Sequence, residues 1–257
     1  MSSILFEIKN GIAFITLNRP DKLNSFNREM ALGFQTALEN CKAKHVRAIY
    51  LTGAGKGFCA GQDLAEVVDP NGPGMNKILS EHFNPIVEAI RKLEKPVVAA
   101  VNGVAAGAGA NIALCCDVVV ATQSASFIQA FSKIGLIPDS GGTYFLPRLI
   151  GWQKASALMM LGDKVPAAEA ERLGMIYKVF TDDEFAEASM NIAKTLSQMP
   201  TRGLAFTKKA LEWSSRNTLG EQLTDEDTLQ QRAAATADFK EGVNAFMEKR
   251  SPNFKGE

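Results

Sequence analysis

The stretch VVAAVNGVAAGAGANIALCCDVVVA, residues 97–121, organises the chain, and IGLIPDSGGT follows it at residues 134–143. An apolar run with the length of a buried strand comes first and ends at Asn102-Gly103. Small residues then continue to Ala110, and a second β-branched run begins at Val118. This order predicts a buried strand, a tight glycine turn, a short buried helix and a second strand. A Pro/Gly loop that carries Asp139 follows, before another helix.

A binding site for a substrate oxygen can be built on this stretch. Small residues at a strand-to-helix turn let such an oxygen approach backbone N–H groups that lack a partner. Asp139 adds an acid in a loop of the kind that often carries catalytic groups. The stretch therefore predicts a site that combines backbone donors with a carboxylate.

A second glycine-rich loop, GAGKGFCAGQDL, occupies residues 53–64. It does not match a nucleotide-binding motif, because Lys56 is followed by Gly57 rather than Ser or Thr, and Phe58 stands where a third glycine is needed. Two interpretations remain. The loop is either a tight turn that brings Ala60-Gly61 against a neighbouring strand, or a second set of backbone donors that faces the first.

Composition bounds the class of protein. The 28 basic and 28 acidic residues balance, which gives no reason to expect a nucleic-acid partner. Four cysteines without paired spacing predict free thiols in a reducing compartment. His45 and His82 lie apart in sequence and are predicted at the surface or its boundary, so no metal site is expected. With no leader pattern and no apolar run long enough to span a bilayer, we expect a soluble cytoplasmic protein.

Local signals mark the ends of several elements. Asn10-Gly11 between two alternating runs predicts a two-residue hairpin turn. Asn27 is a candidate N-cap for a helix from about Arg28, and Thr218 with Glu221 forms a candidate capping box. A further short helix is predicted from Pro166 to Leu173.

The order of elements predicts an α/β core followed by a helical end. Strands and helices alternate from about Ala48 to Phe180, which indicates repeated strand-strand-helix units. The part after Pro200 is purely helical and has too few apolar residues per helix for a core of its own. Such an arm packs either on its own subunit or on a neighbour, and we favour the neighbour.

Taken together, these motifs resemble those of the crotonase (enoyl-CoA hydratase/isomerase) superfamily, in the family's order and over most of the chain. The motifs are Asn18-Arg19-Pro20 with Asn24-Ser25-Phe26, Thr52-Gly53, Gly57 to Leu64, Lys95-Pro96-Val97, Val101-Asn102-Gly103 with Gly107-Ala108-Gly109, Cys116-Asp117, and Gly135 to Thr143.

The resemblance implies a fold, a substrate class and an assembly. The fold would be an α/β spiral of strand-strand-helix repeats over residues 1–199, with an all-helical trimerisation arm over residues 200–257. The substrate would be an acyl-CoA thioester, bound by a homotrimer or a dimer of trimers. No separate cofactor is implied, since coenzyme A enters as part of the substrate.

The resemblance also implies roles for particular residues. The family's oxyanion hole consists of two backbone N–H groups, which fall on Gln62 and Ala108. Its adenine and pantetheine contacts run along the segment from Gln62 to Ala65, and Phe131 is placed beside the substrate. These implied substrate-binding positions are Gln62, Asp63, Leu64, Ala65 and Phe131.

Departures from the family pattern decide the expected chemistry. Hydratases of the family carry two glutamates, at positions that here hold Asn111 and Phe131. Water addition in the hydratase manner is therefore not expected. Asp139 supplies a different carboxylate, and its surroundings resemble those of the family's epoxide isomerases of bacterial phenylacetate catabolism. That resemblance implies conversion of 1,2-epoxyphenylacetyl-CoA to oxepin-CoA, with a side ability to shift double bonds.

Physical reasoning supports a one-acid reaction. Two fixed donors stabilise the enolate formed when a proton leaves the carbon next to a thioester. One carboxylate can take that proton and return it at another carbon, and Asp139 is the candidate. Its alternative role is an acid that stabilises the following helix. Asp63 and Asp117 are predicted to be structural, and Asn111 either forms buried hydrogen bonds or touches substrate, with the former favoured.

Two rival functions remain open. A Δ3-Δ2-enoyl-CoA isomerase of fatty-acid breakdown would use the same residues, and the two enzymes would differ in the shape of the pocket. A non-catalytic acyl-CoA-binding scaffold would keep the fold without the chemistry, and the acid at Asp139 is an argument against it. Partner enzymes of the same pathway are possible for either enzyme.

Overall fold

The first two strands show how local signals set the fold. In the computed structural model, which describes residues 2–257, Asn10 and Gly11 have φ of 52° and 77°. Both values are positive, as a two-residue hairpin turn requires. The turn pairs Lys9 with Ile12 and continues to Ile4 with Leu17, as predicted.

Ten strands are present in the described residues. They are β1 (Ile4–Lys9), β2 (Ile12–Leu17), β3 (Ala48–Gly53), β4 (Gly57–Cys59), β5 (Val97–Val101), β6 (Val104–Ala106), β7 (Val118–Thr122), β8 (Ser126–Ile128), β9 (Lys164–Pro166) and β10 (Lys178–Phe180).

Twelve α-helices accompany them within residues 2–257. They are α1 (Arg28–Asn40), α2 (Leu64–Val68), α3 (Gly74–Lys77), α4 (Asn84–Lys92), α5 (Ala108–Leu114), α6 (Gly142–Ile150), α7 (Trp152–Leu161), α8 (Ala167–Arg172), α9 (Phe185–Gln198), α10 (Thr201–Ser214), α11 (Leu219–Ala234) and α12 (Ala237–Met247). A π-helical segment, Ile78–Phe83, joins α3 to α4, and short 3₁₀ segments lie at Pro20–Lys22 and Ala130–Ile134.

The strands form two sheets, and the chain alternates between them. The six-stranded sheet has the order β1-β2-β3-β5-β7-β10, and the four-stranded sheet has the order β4-β6-β8-β9. Each pair β3-β4, β5-β6 and β7-β8 therefore places one strand in each sheet before the chain enters helical structure. This confirms the predicted spiral of strand-strand-helix units. The helix predicted from Pro166 to Leu173 is present as α8, Ala167–Arg172, and Pro166 itself ends β9, which pairs with β8.

Two apolar layers cover the six-stranded sheet. Along β5, the side chains of Val97, Ala99 and Val101 join the main core, whereas Val98 and Ala100 face a second cluster that includes Phe185 of α9. A strand buried on both faces reads as a continuous apolar run, which explains the sequence at 97–101. The main core extends to α5 and to the four-stranded sheet.

The helical arm is tied to its own chain at one buried point. Lys208 of α10 is 8% exposed, and its Nζ donates to Asp117 at 2.8 Å and to the Ile90 carbonyl at 2.7 Å. Asp117 also accepts hydrogen bonds from Arg91 and from the Val97 backbone, which confirms its predicted structural role. The later arm helices leave large apolar side chains exposed, namely Leu219, Leu223, Phe239, Phe246 and Met247.

Histidine placement differs from the prediction. His82 is completely buried in the π-helical segment, and its Nε2 lies 3.2 Å from the guanidinium of Arg28 in α1. His45 is exposed, as expected. Within the described range, no helix is both long and apolar enough to cross a bilayer.

Candidate active site

Two loops bring the predicted backbone donors to one place. Phe26 pairs with Gln62 in a parallel bridge, in which the Phe26 amide bonds the Gly61 carbonyl and the Asp63 amide bonds the Phe26 carbonyl. The N–H of Gln62 therefore points away from Phe26. Ala108 is the first residue of α5, so its N–H has no intrahelical partner. Neither N–H donates a hydrogen bond within the described residues.

Glycine allows the two loops to touch. A Cβ on Gly109 would lie 2.4 Å from the Cys59 carbonyl oxygen, so only glycine lets α5 approach β4 this closely. On the other loop, a Cβ on Gly61 would lie 3.3 Å from the Ala108 nitrogen. Both interpretations of the 53–64 loop fit the structure. Gly61 lies against β6, since a Cβ there would be 3.0 Å from the Ala106 carbonyl oxygen, and the Gln62 and Ala108 N–H groups lie on adjacent backbone.

These donors border a cavity of about 220 Å³. Four apolar side chains from three segments form much of its wall: Leu64, Val67, Met75 and Ile78. Phe131, Ile134 and Leu136, from the segment before Asp139, also line it. Among the described residues that line the cavity, Asp139 and Lys133 are the charged ones. The cavity thus offers an apolar chamber with a carboxylate and backbone donors.

Asp139 lies in a tight turn at the edge of the cavity. Its main-chain carbonyl accepts a hydrogen bond from the Gly142 amide at 2.8 Å, and the two residues between them, Ser140 and Gly141, have φ of 50° and 76°. Burial raises the pKa of the Asp139 carboxyl, and the hydrogen bond from the Ser140 hydroxyl opposes that rise. A carboxyl with a raised pKa is better matched to proton transfer near neutral pH than an exposed one.

Asn111 supports this turn rather than the cavity. It is 1% exposed, and its Nδ2 donates to the Asp139 main-chain carbonyl at 2.8 Å. Its Oδ1 accepts from Gln129 Nε2, also at 2.8 Å. Asn111 does not line the cavity, so the favoured interpretation of a buried hydrogen-bonding residue holds.

Phe131 occupies the other position at which hydratases of the family carry an acid. It is 6% exposed and lines the cavity. Its ring lies against the donor turn, because a Cβ on Gly107 would be 3.7 Å from the ring atom Cζ. The site therefore has an apolar face where a second carboxylate would be needed to bind water.

Asp63 and its neighbours have mainly structural contacts. Asp63 caps α2 through the Ala65 amide at 3.1 Å and pairs with Arg19 at 2.9 Å. Burial raises the pKa of Asp63, but the hydrogen bonds from Arg19 and the Ala65 amide, together with the charges of Arg19 and Lys22, outweigh that effect and lower the pKa overall. Neither Asp63 nor Ala65 lines the cavity, whereas Gln62 and Leu64 do. Contact of Asp63 and Ala65 with substrate stays a prediction.

Sequence reasoning missed the far wall of the cavity and part of the support of Asp139. Met75 and Ile78 follow a Pro/Gly loop, and their apolar spacing there is indistinguishable from that of core residues. Gln129 carries no local signal, since its role depends on a residue 18 positions away. Ser140 likewise carries no local signal, because the sequence does not reveal the positive φ of 50° that places its hydroxyl beside Asp139.

The cysteine beside the donor loop is not available as a thiolate nucleophile. All four cysteines are buried and free. Burial raises the pKa of the Cys59 thiol, beside the donor loop, to about 12, so it is neutral at physiological pH. Residues 2–257 hold no group of three or more His, Cys, Asp or Glu side chains arranged to bind a metal ion.

Comparisons with known proteins match this fold. A family model for enoyl-CoA hydratase/isomerase matches residues 7–257. The 1,2-epoxyphenylacetyl-CoA isomerase of Escherichia coli K12 is 46% identical over 260 residues, 100% of this chain and 99% of that protein. A Rhodobacter capsulatus protein described as "Probable enoyl-CoA hydratase" is 44% identical over 99% of this chain and 98% of its own length. The crystal structure of an enoyl-CoA hydratase from Bacillus anthracis has a TM-score of 0.92 at 32% identity, covering 99% of this chain and 100% of that chain.

The spiral of strand-strand-helix units and these superpositions define a crotonase-fold enzyme. More narrowly, the chain belongs to the enoyl-CoA hydratase/isomerase family, because the family model and full-length relatives cover nearly all of it. The resemblance drawn from the motifs is thereby confirmed.

Proposed function

We propose that this protein is an acyl-CoA isomerase that converts 1,2-epoxyphenylacetyl-CoA to oxepin-CoA in phenylacetate degradation. The observation that carries the proposal is a carboxylate, Asp139, in an apolar cavity that also holds the backbone donors of Gln62 and Ala108. The name of the Escherichia coli relative supports the choice of substrate.

The proposed mechanism needs one acid/base group. The thioester carbonyl oxygen accepts hydrogen bonds from the Gln62 and Ala108 amides, which stabilise the enolate. The C–C bond shared by the epoxide and the six-membered ring opens, which expands the ring to the seven-membered oxepin and keeps its oxygen. The Asp139 carboxylate takes a proton from the carbon next to the thioester, and the resulting carboxylic acid returns it at a ring carbon as the double bonds shift. No water is consumed. Coenzyme A enters as part of the substrate, and the mechanism needs no separate cofactor.

The apolar wall suits a compact acyl group. A cavity of about 150 Å³ lined by aliphatic and aromatic side chains can accept a benzene-sized ring. The present cavity, at about 220 Å³, has room for such a ring with a short side chain. Phe131, Met75 and Ile78 provide apolar contacts and no acceptor for a polar acyl terminus.

A Δ3-Δ2-enoyl-CoA isomerase is the alternative, because a double-bond shift uses the same donors and the same acid. The hydratase description of the Rhodobacter capsulatus relative makes water addition a further outcome to measure. Against hydration stands the pair Asn111 and Phe131, neither of which can act as a general base. A non-catalytic scaffold has no use for a buried acid whose pKa is raised.

Assembly and location are part of the proposal. The exposed apolar residues of the arm support a homotrimer or a dimer of trimers. We place the enzyme in the cytoplasm, where buried free thiols persist. The proposal also includes other enzymes of the same pathway as partners of this assembly.

Parallel turnover of two substrates tests the function. The purified protein is given 1,2-epoxyphenylacetyl-CoA and an aliphatic 3-enoyl-CoA, and kcat/KM is compared. A higher kcat/KM for the epoxide supports the proposal, and a clear preference for the 3-enoyl-CoA replaces it with the alternative. A further measurement in D2O distinguishes an enzyme from a protein that only binds acyl-CoA. An enzyme exchanges the α-carbon hydrogen of the substrate for deuterium, and the Asp139→Asn variant loses that exchange.

A further inference from the structure

Ser140 adopts a backbone conformation that its side chain disfavours. Its φ is 50°, in the left-handed region that glycine and asparagine tolerate best. It is one of five non-glycine residues with positive φ among the described residues, and it directly follows Asp139. A glycine would fit this turn with less strain, so the serine side chain needs a reason to be there.

The contacts of the hydroxyl supply that reason. Ser140 is 2% exposed, and its Oγ donates to Asp139 Oδ1 at 2.8 Å. Asp139 Oδ2 accepts no hydrogen bond within the described residues. It is not a fully buried atom, since the fully buried side-chain oxygens that lack a partner do not include it. One carboxylate oxygen is therefore held by the protein, whereas the other has no protein donor within the described residues and belongs to a residue that lines the cavity.

The backbone on both sides of the pair is fixed. The Asp139 carbonyl receives two donors, the Gly142 amide and Asn111 Nδ2, each at 2.8 Å. With the main chain held, rotation of the carboxylate is the remaining freedom, and the Ser140 hydroxyl restricts it. Among the described residues that line the cavity, Lys133 is the other charged group, and Phe131 and Leu136 are the apolar neighbours on the same segment.

We propose that Ser140 is a positioning residue that binds Oδ1 of Asp139, so that Oδ2 alone exchanges protons with the substrate. The inference rests on the proposed function for the role of Asp139, but the contact itself does not. A donor to the ionised carboxyl also stabilises the base form. Loss of the hydroxyl should therefore make the carboxyl hold its proton more tightly and leave less base at low pH.

Two variants separate the hydroxyl from the backbone. Ser140→Gly removes the hydroxyl and relieves the positive φ, whereas Ser140→Ala removes the hydroxyl and keeps the strain. Ser126→Ala is the matched control, because Ser126 is also buried, at 1% exposed, and its Oγ has no hydrogen-bond partner.

The first measurement needs no substrate. The ¹³C resonance of the Asp139 carboxyl, assigned by its absence in Asp139→Asn, is titrated in the wild type and the three variants. We expect about tenfold tighter proton binding in both Ser140 variants, since a hydrogen bond to a charged group contributes about one such factor. Ser126→Ala should titrate like the wild type.

The second measurement follows kcat/KM against pH with the better substrate. Both Ser140 variants should lose about tenfold at the acid end and much less at alkaline pH, where the carboxyl is ionised in every variant. A Ser140→Gly protein that titrates and turns over like the wild type would overturn the inference, even if Ser140→Ala is impaired, since the hydroxyl would then serve only to hold a strained turn that glycine adopts without it. If the wild type turns over none of the substrates while the ¹³C titration shifts as expected, the proposed function fails and the positioning contact stands.

Discussion

The Asn111 side chain donates a hydrogen bond to the main-chain carbonyl of Asp139 at 2.8 Å, and so a buried residue of α5 holds the main chain of the acid in the loop before α6. Asn111 stands where hydratases of the family carry a glutamate. Its amide oxygen is held in turn by Gln129. Where a hydratase would have a glutamate facing the substrate, this protein has an amide that supports Asp139.

Asp139→Asn should abolish most of the activity. The amide cannot take a proton at neutral pH, so we expect turnover to fall by about two to four powers of ten while acyl-CoA binding persists. Steady-state kinetics and isothermal titration calorimetry measure the two quantities. Near-wild-type turnover would remove Asp139 from the mechanism.

The same variant should be more stable at neutral pH. Because burial raises the pKa of Asp139 in the folded state, the folded protein holds this proton more tightly than the unfolded chain. The contribution of Asp139 to stability is therefore present below its unfolded pKa and is lost as the pH rises through its folded pKa. We expect Asp139→Asn to raise Tm by about 1–4 °C at pH 7 and by less at pH 4. A lower Tm at pH 7 would contradict this sign.

Local chemistry explains which parts of the structure were predictable. The turn at Asn10-Gly11, the cap at Asn27 and the capping box at Thr218 depend on residues within three or four positions, and all three formed. His82 could not be placed in the same way, because its surroundings include residues distant in sequence, such as Arg28, 54 positions away. The cavity wall likewise combines side chains from separate loops.

The candidate site also has parts that the sequence predicts and parts that it does not. Gln62, Ala108 and Asp139 follow from motif positions, and the structure brings them to one cavity. The support of Asp139 by Ser140 and Asn111 depends on backbone dihedral angles and on a contact across 28 positions. Neither is encoded in a pattern of residue types.

Asn111→Asp should damage the site without adding a hydratase function. The new carboxylate would face the Asp139 carbonyl oxygen in place of a donor, and it would be buried with one remaining donor, Gln129. We expect a loss of about 3 kcal/mol in the free energy of unfolding, with reduced turnover because the Asp139 turn is no longer held. Denaturant unfolding measures the free energy of unfolding, and steady-state kinetics measures turnover. Asn191→Asp, on the exposed face of α9, is the control. Wild-type stability and activity would show that the Asn111 contact is dispensable.

Assembly through the arm can be tested without deleting it. Truncation after Pro200 would remove Lys208 and leave Asp117 short of a buried partner, so it would confuse folding with association. Leu219→Glu with Leu223→Glu instead places two charges on α11, where these side chains are 75% and 56% exposed. We expect light scattering to show a trimer or hexamer for the wild type and for the control Gln230→Glu, and a smaller species for the double variant. A monomeric wild type at micromolar concentration would refute the proposed assembly.

The reaction should proceed without oxygen from water entering the product. Hydration needs a positioned water whose proton is taken as its oxygen attacks the β-carbon. Phe131 presents a ring to the cavity where the hydratases hold an acid, and Asn111 is turned away into the Asp139 loop. We therefore expect 2-enoyl-CoA to bind, but we expect its rate of hydration to be very low. Turnover in oxygen-18 water followed by mass spectrometry of the product measures this directly, and label appearing at the rate of turnover would overturn the one-acid mechanism. Phe131→Glu alone is the informative converse variant, because it adds a carboxylate to the cavity while leaving the Asn111 support intact. A gain of hydration in that variant, absent from Phe131→Leu, would show that the missing acid is what keeps the wild type from adding water.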